Sequence, residues 1–366
     1  VVQWTCFEGG DVNKIRILVV DDSALVRSLL KEIINRQADM ECIGTACDPL
    51  VARGMIRELN PDVVTLDVEM PRMDGLDFLE RLMRLRPTPV VMVSTLTERG
   101  AAVTMRALEL GAVDFLPKPR FDLAGGMNLL ATQFVEKLRI ASKAHIKRRV
   151  IALPEGAGSA KVGEPPLRAS ASGFSPACVV FIGASTGGTE AIREILVRLP
   201  EAFPPVLITQ HMPPGFTASF AARLHDLCAL SVKEAADGDR ILSGHVYIAP
   251  GGYHLRVRRG AQGLVASVEE GEPVNRHRPS VEVLFRSAAA LVGANAIGVM
   301  LTGMGDDGAA AMREMRDAGS YNFVQDEASC VVFGMPREAI LHDAADEVLP
   351  LGEIASALIR KTARTR

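Results

Sequence analysis

Short apolar runs recur along this chain, and between them lie segments whose apolar residues return every three or four positions. Ile17-Leu-Val-Val20, Val63-Val-Thr-Leu66 and Val90-Val-Met-Val93 are such runs. Four nearly continuous apolar residues imply burial on both faces, which a parallel sheet covered by helices supplies. After the first run, Ser23 is a suitable N-cap, and Leu25, Val26, Leu29, Leu30, Ile33 and Ile34 follow with helical period. Further helices are predicted near 49–58, 76–84, 99–110 and 128–140, and a last short strand at Phe115-Leu116 is stopped by Pro117 and Pro119. The pattern predicts an α/β, doubly wound (βα)5 domain over 14–141.

The alternation then stops. Residues 142–176 open with the basic run Lys147-Arg-Arg149 and continue in Pro, Gly, Ala and Ser without hydrophobic period, so they read as a flexible linker. The basic run is read as a solvated helix end. From 177 to 366 the alternation resumes as a second α/β domain with a mostly parallel sheet. Its buried strands are Val179-Val-Phe-Ile182, Val206-Leu-Ile208 and Ile297-Gly-Val-Met-Leu301, and its helices lie near 189–199, 216–227, 281–292 and 309–318. A β-rich insert of roughly 231–268 carries turn signals at Asp237-Gly238 and Gly251-Gly252.

Composition narrows the function classes. A net charge of -3 and 5% aromatic residues disfavour a nucleic-acid partner. The six cysteines are scattered without a CxxC pair, so they are expected to be reduced and mostly buried, as in a cytoplasmic protein. No apolar run has transmembrane length, so no membrane insertion is expected. Residues 1–13 carry neither a signal-peptide pattern nor a fold pattern.

Two constellations carry chemistry. In the first half, Asp21 and Asp22 follow one strand and Asp67 ends another. In a doubly wound sheet these ends converge on one crevice, where three carboxylates repel unless a hard divalent cation such as Mg²⁺ joins them. Ser94 ends the fourth strand, where its hydroxyl can hydrogen-bond a phosphoryl oxygen, and Lys118 at the end of the fifth supplies a mobile positive charge.

In the second half, Gly183-Ala-Ser-Thr-Gly187 fits GxSxG between a strand and a helix, which marks Ser185 as a candidate nucleophile. A Gly-rich nucleotide loop is disfavoured, because neither GxGxxG nor GxxxxGK is present. A serine needs a base, and the base needs an orienting acid. Among seven histidines His211 directly follows a strand, with His277 its serious rival. The acid is Asp306 or Asp307, adjacent in a Gly-rich turn after the strand at 297–301; spacing alone leaves both open. The order Ser, His, Asp differs from that of α/β-hydrolases.

Val20-Asp-Asp-Ser23, Leu66-Asp-Val-Glu-Met-Pro71 with Asp74-Gly75, Val93-Ser94 and Pro117-Lys-Pro119 resemble the signature of two-component response-regulator receivers. The resemblance implies that Asp67 is phosphorylated, that Asp21 and Asp22 hold Mg²⁺ with it, and that Ser94 and Lys118 bind the phosphoryl group. It also makes Lys118–Pro119 a candidate cis peptide. The second half, through Gly183-Ala-Ser-Thr-Gly-Gly188, Gln210-His-Met-Pro213, Tyr247-Ile-Ala-Pro-Gly251, Pro273-Val-Asn-Arg-His-Arg-Pro-Ser280 and Leu301-Thr-Gly-Met-Gly-Asp-Asp-Gly308, resembles the catalytic domain of chemotaxis protein-glutamate methylesterases, the CheB family.

That resemblance implies a serine esterase acting on glutamyl methyl esters of methyl-accepting chemotaxis receptors, with receptor glutamine deamidation known for some members. It selects Asp307 as the acid and makes Met304 a backbone N–H donor to the oxyanion; the N–H of Thr186, next to the serine, is a second candidate donor. It implies no cofactor for the esterase, a chemotaxis histidine kinase as phosphodonor, and a receiver that gates the hydrolase.

Overall fold

The computed structural model describes residues 14–68, 70, 75–94, 97–118, 126–146 and 173–363. The expectations about residues 1–13, the Lys147-Arg-Arg149 run, most of the linker and the Lys118–Pro119 bond lie outside the described residues. A cis peptide does occur at Arg278–Pro279. The chain splits into two compact units, Val1–Ser94 with Leu110–Arg149 and Thr95–Glu109 with Val150–Arg366.

The N-terminal alternation runs β1 (Ile15–Val20), α1 (Ala24–Asn35), β2 (Met40–Ala46), α2 (Pro49–Leu59), β3 (Val63–Asp67), α3 (Gly75–Leu85), β4 (Val90–Ser94), α4 (Glu98–Glu109), β5 (Asp114–Pro117) and α5 (Gly126–Ser142). The five strands form one sheet in the order β2-β1-β3-β4-β5, and every pairing is parallel. Local chemistry starts the helices where expected. Ser23 Oγ accepts from the Val26 N–H ahead of α1. Asp48 accepts from the Leu50 and Val51 N–H groups ahead of α2, whose first residue is Pro49. The chain leaves β1 toward β2 on one side and returns to β3 on the other, so a crevice opens beyond the carboxyl ends of β1 and β3.

The second half runs β6 (Val179–Ala184), α6 (Gly188–Leu196), β7 (Val206–Gln210), α7 (Thr217–Leu227), β8 (Ser231–Glu234), β9 (His245–Ile248), β10 (His254–Gly260), β11 (Gly263–Glu269), α8 (Val281–Leu291), β12 (Ala296–Met300), α9 (Ala309–Asp317), β13 (Tyr321–Gln325), α10 (Met335–Leu341), β14 (Glu347–Leu349) and α11 (Leu351–Thr362). Seven strands form a parallel sheet in the order β14-β13-β12-β6-β7-β9-β8. The expected β-rich insert is therefore not one piece. Its first two strands extend the main sheet, and only β10 and β11 form a separate antiparallel hairpin. Phe181, Leu207, Tyr247, Phe285 and Met300 are buried together between this sheet and its helices. Each such side chain contributes roughly 1.5–3 kcal/mol over leaving it exposed. Here too the chain reverses direction, and the crevice lies beyond β6 and β12.

The cysteines depart from one expectation. The five among the described residues are free, but only Cys178 and Cys330 are buried; Cys42 and Cys228 are half-buried and Cys47 is exposed. No helix among the described residues is long and apolar enough to cross a membrane.

Candidate active site

At the first crevice, one carboxylate oxygen from each of Asp21, Asp22 and Asp67 lies within 4.8 Å of the others. Asp21 and Asp67 are buried, as is Ser94, while Asp22 is exposed. The loop after β1 is pinned by Arg27, which donates to the carbonyls of Asp21 (2.7 Å) and Asp22 (2.9 Å). Lys118, just past β5, places its ammonium 2.7 Å from Asp67 Oδ2 and 3.4 Å from Asp21 Oδ2. Burial lowers the Lys118 pKa, but the two carboxylates outweigh it and the net shift is upward. Asp21 moves the other way for an acid: burial raises its pKa against the pull of Lys118. Its Oδ2 is buried without a hydrogen-bond partner among the described residues. An all-oxygen donor set with an unsatisfied buried carboxylate oxygen fits a hard divalent cation.

At the second crevice the residues come from three adjacent strand ends. Ala184 and Gln210 are register partners, so Ser185 and His211 leave β6 and β7 side by side. The His211 N–H donates to the Ala184 carbonyl at 3.1 Å. Gln210 ties the two exits together: its Nε2 donates to the carbonyls of Ser185 (2.8 Å) and His211 (3.3 Å). On the other flank the Ser185 N–H donates to the Thr302 carbonyl just past β12, at 3.0 Å. A Cβ on Gly303 would stand 2.7 Å from the Ser185 Cβ, so only glycine lets the β12 loop pass the serine. Gly187 turns the chain into α6 at φ 78°, a left-handed conformation that glycine adopts without strain.

The loop after β12 returns Asp307 to His211, with 2.8 Å between Nε2 and Oδ2. Asp306 stands exposed while Asp307 is 1% exposed. The buried carboxylate is saturated with donors. Oδ2 also accepts the Val281 N–H at 2.6 Å, and Oδ1 accepts Ser280 Oγ at 2.7 Å and Asn275 Nδ2 at 2.9 Å. Val281 opens α8, so the helix N-terminus adds a favourable field. Burial alone would raise the Asp307 pKa; the bonds from His211, Ser280 and Val281 outweigh it and bring it down to about 2. An ionised Asp307 can only accept, so Nε2 of His211 carries the proton and Nδ1 is the acceptor. Nδ1 is buried and has no hydrogen-bond partner among the described residues.

Met304 lies in the same loop, 43% exposed at the rim, and Thr186 is buried beside the serine with its carbonyl accepting from Thr302 Oγ1 at 3.0 Å. Sequence reasoning missed Gln210, Asn275 and Ser280 as parts of this assembly. Gln210 and the Asn275-to-Ser280 segment lie inside recognisable motifs, but no spacing rule distinguishes a second rank of donors from surface polar residues. His277, the rival base, stacks its ring on that of His211, with centroids 3.7 Å apart and planes 14° apart.

A response-regulator sheet carrying an acidic crevice, joined on one chain to a parallel α/β unit with serine, histidine and aspartate at neighbouring strand ends, defines a regulator with an enzymatic output. The comparisons agree with that class. Residues 17–124 match the family model described as response regulator receiver domain, and residues 180–358 match the one described as CheB methylesterase. A protein-glutamate methylesterase/protein-glutamine glutaminase of Albidiferax ferrireducens is 68% identical, the match covering 99% of this chain and 97% of the relative. Its counterpart in Nitrosomonas europaea is 56% identical, covering 96% and 97%. The crystal structure of the Thermotoga maritima CheB methylesterase catalytic domain is 40% identical and covers 52% of this chain and 99% of that one, with a TM-score of 0.49. The chain belongs to the CheB methylesterase family, with its receiver domain.

Proposed function

We propose that the chain is a phosphorylation-activated serine esterase that hydrolyses glutamate 5-O-methyl esters on methyl-accepting chemotaxis receptors and deamidates receptor glutamines at the same site. The observation that carries this reading is the meeting of Ser185, His211 and Asp307 beyond three adjacent strand ends, with the imidazole oriented by a buried carboxylate. Nδ1 of His211 takes the Ser185 hydroxyl proton as Oγ attacks the ester carbonyl. Backbone N–H groups of Met304 and Thr186 take the oxyanion, each donor worth about 3–4 kcal/mol in such sites. The tetrahedral adduct collapses, and His211 hands its proton to the leaving methoxide, releasing methanol. Water, deprotonated by His211, then cleaves the acyl-enzyme to glutamate. A glutamine side chain follows the same path with ammonia as leaving group.

In the receiver, Asp67 accepts the phosphoryl group from a chemotaxis histidine kinase. Asp21, Asp22 and Asp67 would hold Mg²⁺, whose charge offsets that of donor and acceptor. Ser94 and Lys118 would bind the transferred phosphoryl oxygens. The test is methanol release from methylated receptor, with and without acetyl phosphate and Mg²⁺. Wild type is expected to release methanol faster with the phosphodonor, and Ser185→Ala to release none above background. Methanol release by Ser185→Ala at the wild-type rate would end this assignment.

A further inference from the structure

We propose that His277 is a positioning residue for the esterase step, its imidazole holding the ring of His211 in the plane that serves both Ser185 and Asp307; this rests on the reading of those three residues given above. The rings are parallel within 14° and 3.7 Å apart. A face-stacked imidazole carries its nitrogens in its own plane, so its N–H groups and lone pairs are not aimed at the ring it covers. It therefore relays no proton through that contact. It blocks the imidazole from tipping out of line. It also sets an aromatic face against the positive charge that His211 gains when it takes the serine proton.

The backbone that presents His277 is shaped for this. The N–H of Val274 donates to the His277 carbonyl at 3.1 Å, and the N–H of His277 donates back to the Val274 carbonyl at 2.9 Å. Between them Asn275 and Arg276 both adopt left-handed conformations, at φ 49° and 67°. Two successive positive φ angles make the tight hairpin turn that favours Asn or Gly first and Gly second. Arginine in the second place is strained, and such strain persists where surrounding contacts over-determine the geometry. Those contacts converge on the site: Asn275 Nδ2 donates to Asp307 Oδ1 at 2.9 Å, and the Gly252 N–H donates to the Arg278 carbonyl at 3.2 Å. One turn thus touches both the acid and the base. Asp307 and the β7 exit hold His211 at its edges, and the turn holds it from its face.

The experiment is steady-state methanol release from methylated receptor by the full-length chain with phosphodonor, for wild type, Ser185→Ala, His277→Ala, His277→Leu and His277→Phe. Losing ring alignment should lower kcat about 10- to 100-fold in the Ala and Leu variants while KM stays within about 2-fold. His277→Phe keeps a stacking face without a titrating group and should restore kcat to within about 5-fold of wild type. Wild-type kcat in His277→Leu, or a His277→Phe as slow as His277→Leu, would overturn the proposal. If His277→Ala fails to fold, the Phe and Leu pair decides the matter. A wild type that releases no methanol, or a Ser185→Ala that still does, would sink the functional reading instead. Active wild type, inactive Ser185→Ala and an unaffected His277→Leu would sink the positioning role alone.

Discussion

Asp21 and Asp307 are each 1% exposed, each in the chain beyond the carboxyl end of a strand beside a sheet's point of reversal, and their pKa values move in opposite directions. Burial raises both. Asp21 receives one backbone N–H, from Ser23, and an off-line ammonium, and it leaves an oxygen unsatisfied. Asp307 receives His211, Ser280, Asn275 and the Val281 N–H, and falls to about 2. One crevice is left short of positive charge and suits an incoming cation. The other is complete in itself and keeps a permanent anion behind an imidazole. Location on the fold is shared; the number of donors facing each carboxylate separates a binding site from an orienting one.

The largest effect should come from removing that anion. Asp307→Asn keeps the shape but has one acceptor oxygen and a donor NH₂ facing groups that all donate. The preferred tautomer of His211 is then reversed, and kcat should fall on the order of 10⁴-fold, the size of the loss seen when a triad aspartate becomes asparagine. Methanol release by the phosphodonor-treated variant measures it. A loss under about 10-fold would mean that Asp307 is structural rather than orienting. The sign of its pH linkage follows from the depressed pKa. The stability that Asp307 contributes is full above its ordinary value of 3.8 and is lost as pH falls toward about 2. For Asp21, with a raised pKa, the sign is opposite: protonation on lowering the pH favours the folded state.

A smaller effect is expected from Asp67→Asn. Lys118 would keep a neutral partner at the same place, and the esterase crevice is built from other strands. Basal methanol release should stay within about 2-fold of wild type while stimulation by acetyl phosphate and Mg²⁺ disappears. Equal stimulation of both proteins would break the link between the two crevices.

What could be read from the sequence follows the same division. Strands buried on both faces, such as Val63–Asp67 and Val179–Ala184, announce themselves as apolar runs. Three strands do not. β2 carries a half-exposed Met40–Ala46 face at a sheet edge, β14 is three residues long, and β13 buries Asn322 and Gln325 for hydrogen bonding. The strand-end rule brought out Asp21, Asp67, Ser185 and His211. It left Asp306 and Asp307 open, because adjacent residues in a glycine-rich turn differ only in which one the turn rotates inward. The second rank, Asn275 and Ser280, sits where chain direction depends on the left-handed residues Asn275 and Arg276, which no periodicity reports.

The smallest effect tests the unsatisfied side of the comparison. Asp21→Asn removes a carboxylate that burial opposes and leaves the 2.7 Å Lys118–Asp67 pair in place. Without Mg²⁺ the receiver transition should therefore rise, by roughly 1 kcal/mol or a few °C for a domain of this size. Added Mg²⁺ should stabilise wild type by mass action and the variant much less, since one of three oxygen ligands has lost its charge. Calorimetry with chelator and then with Mg²⁺ separates the two terms. If Asp21→Asn melted below wild type in chelator, its carboxylate would already be satisfied by Ser23 and Lys118. The two buried acids would then differ in degree rather than in kind.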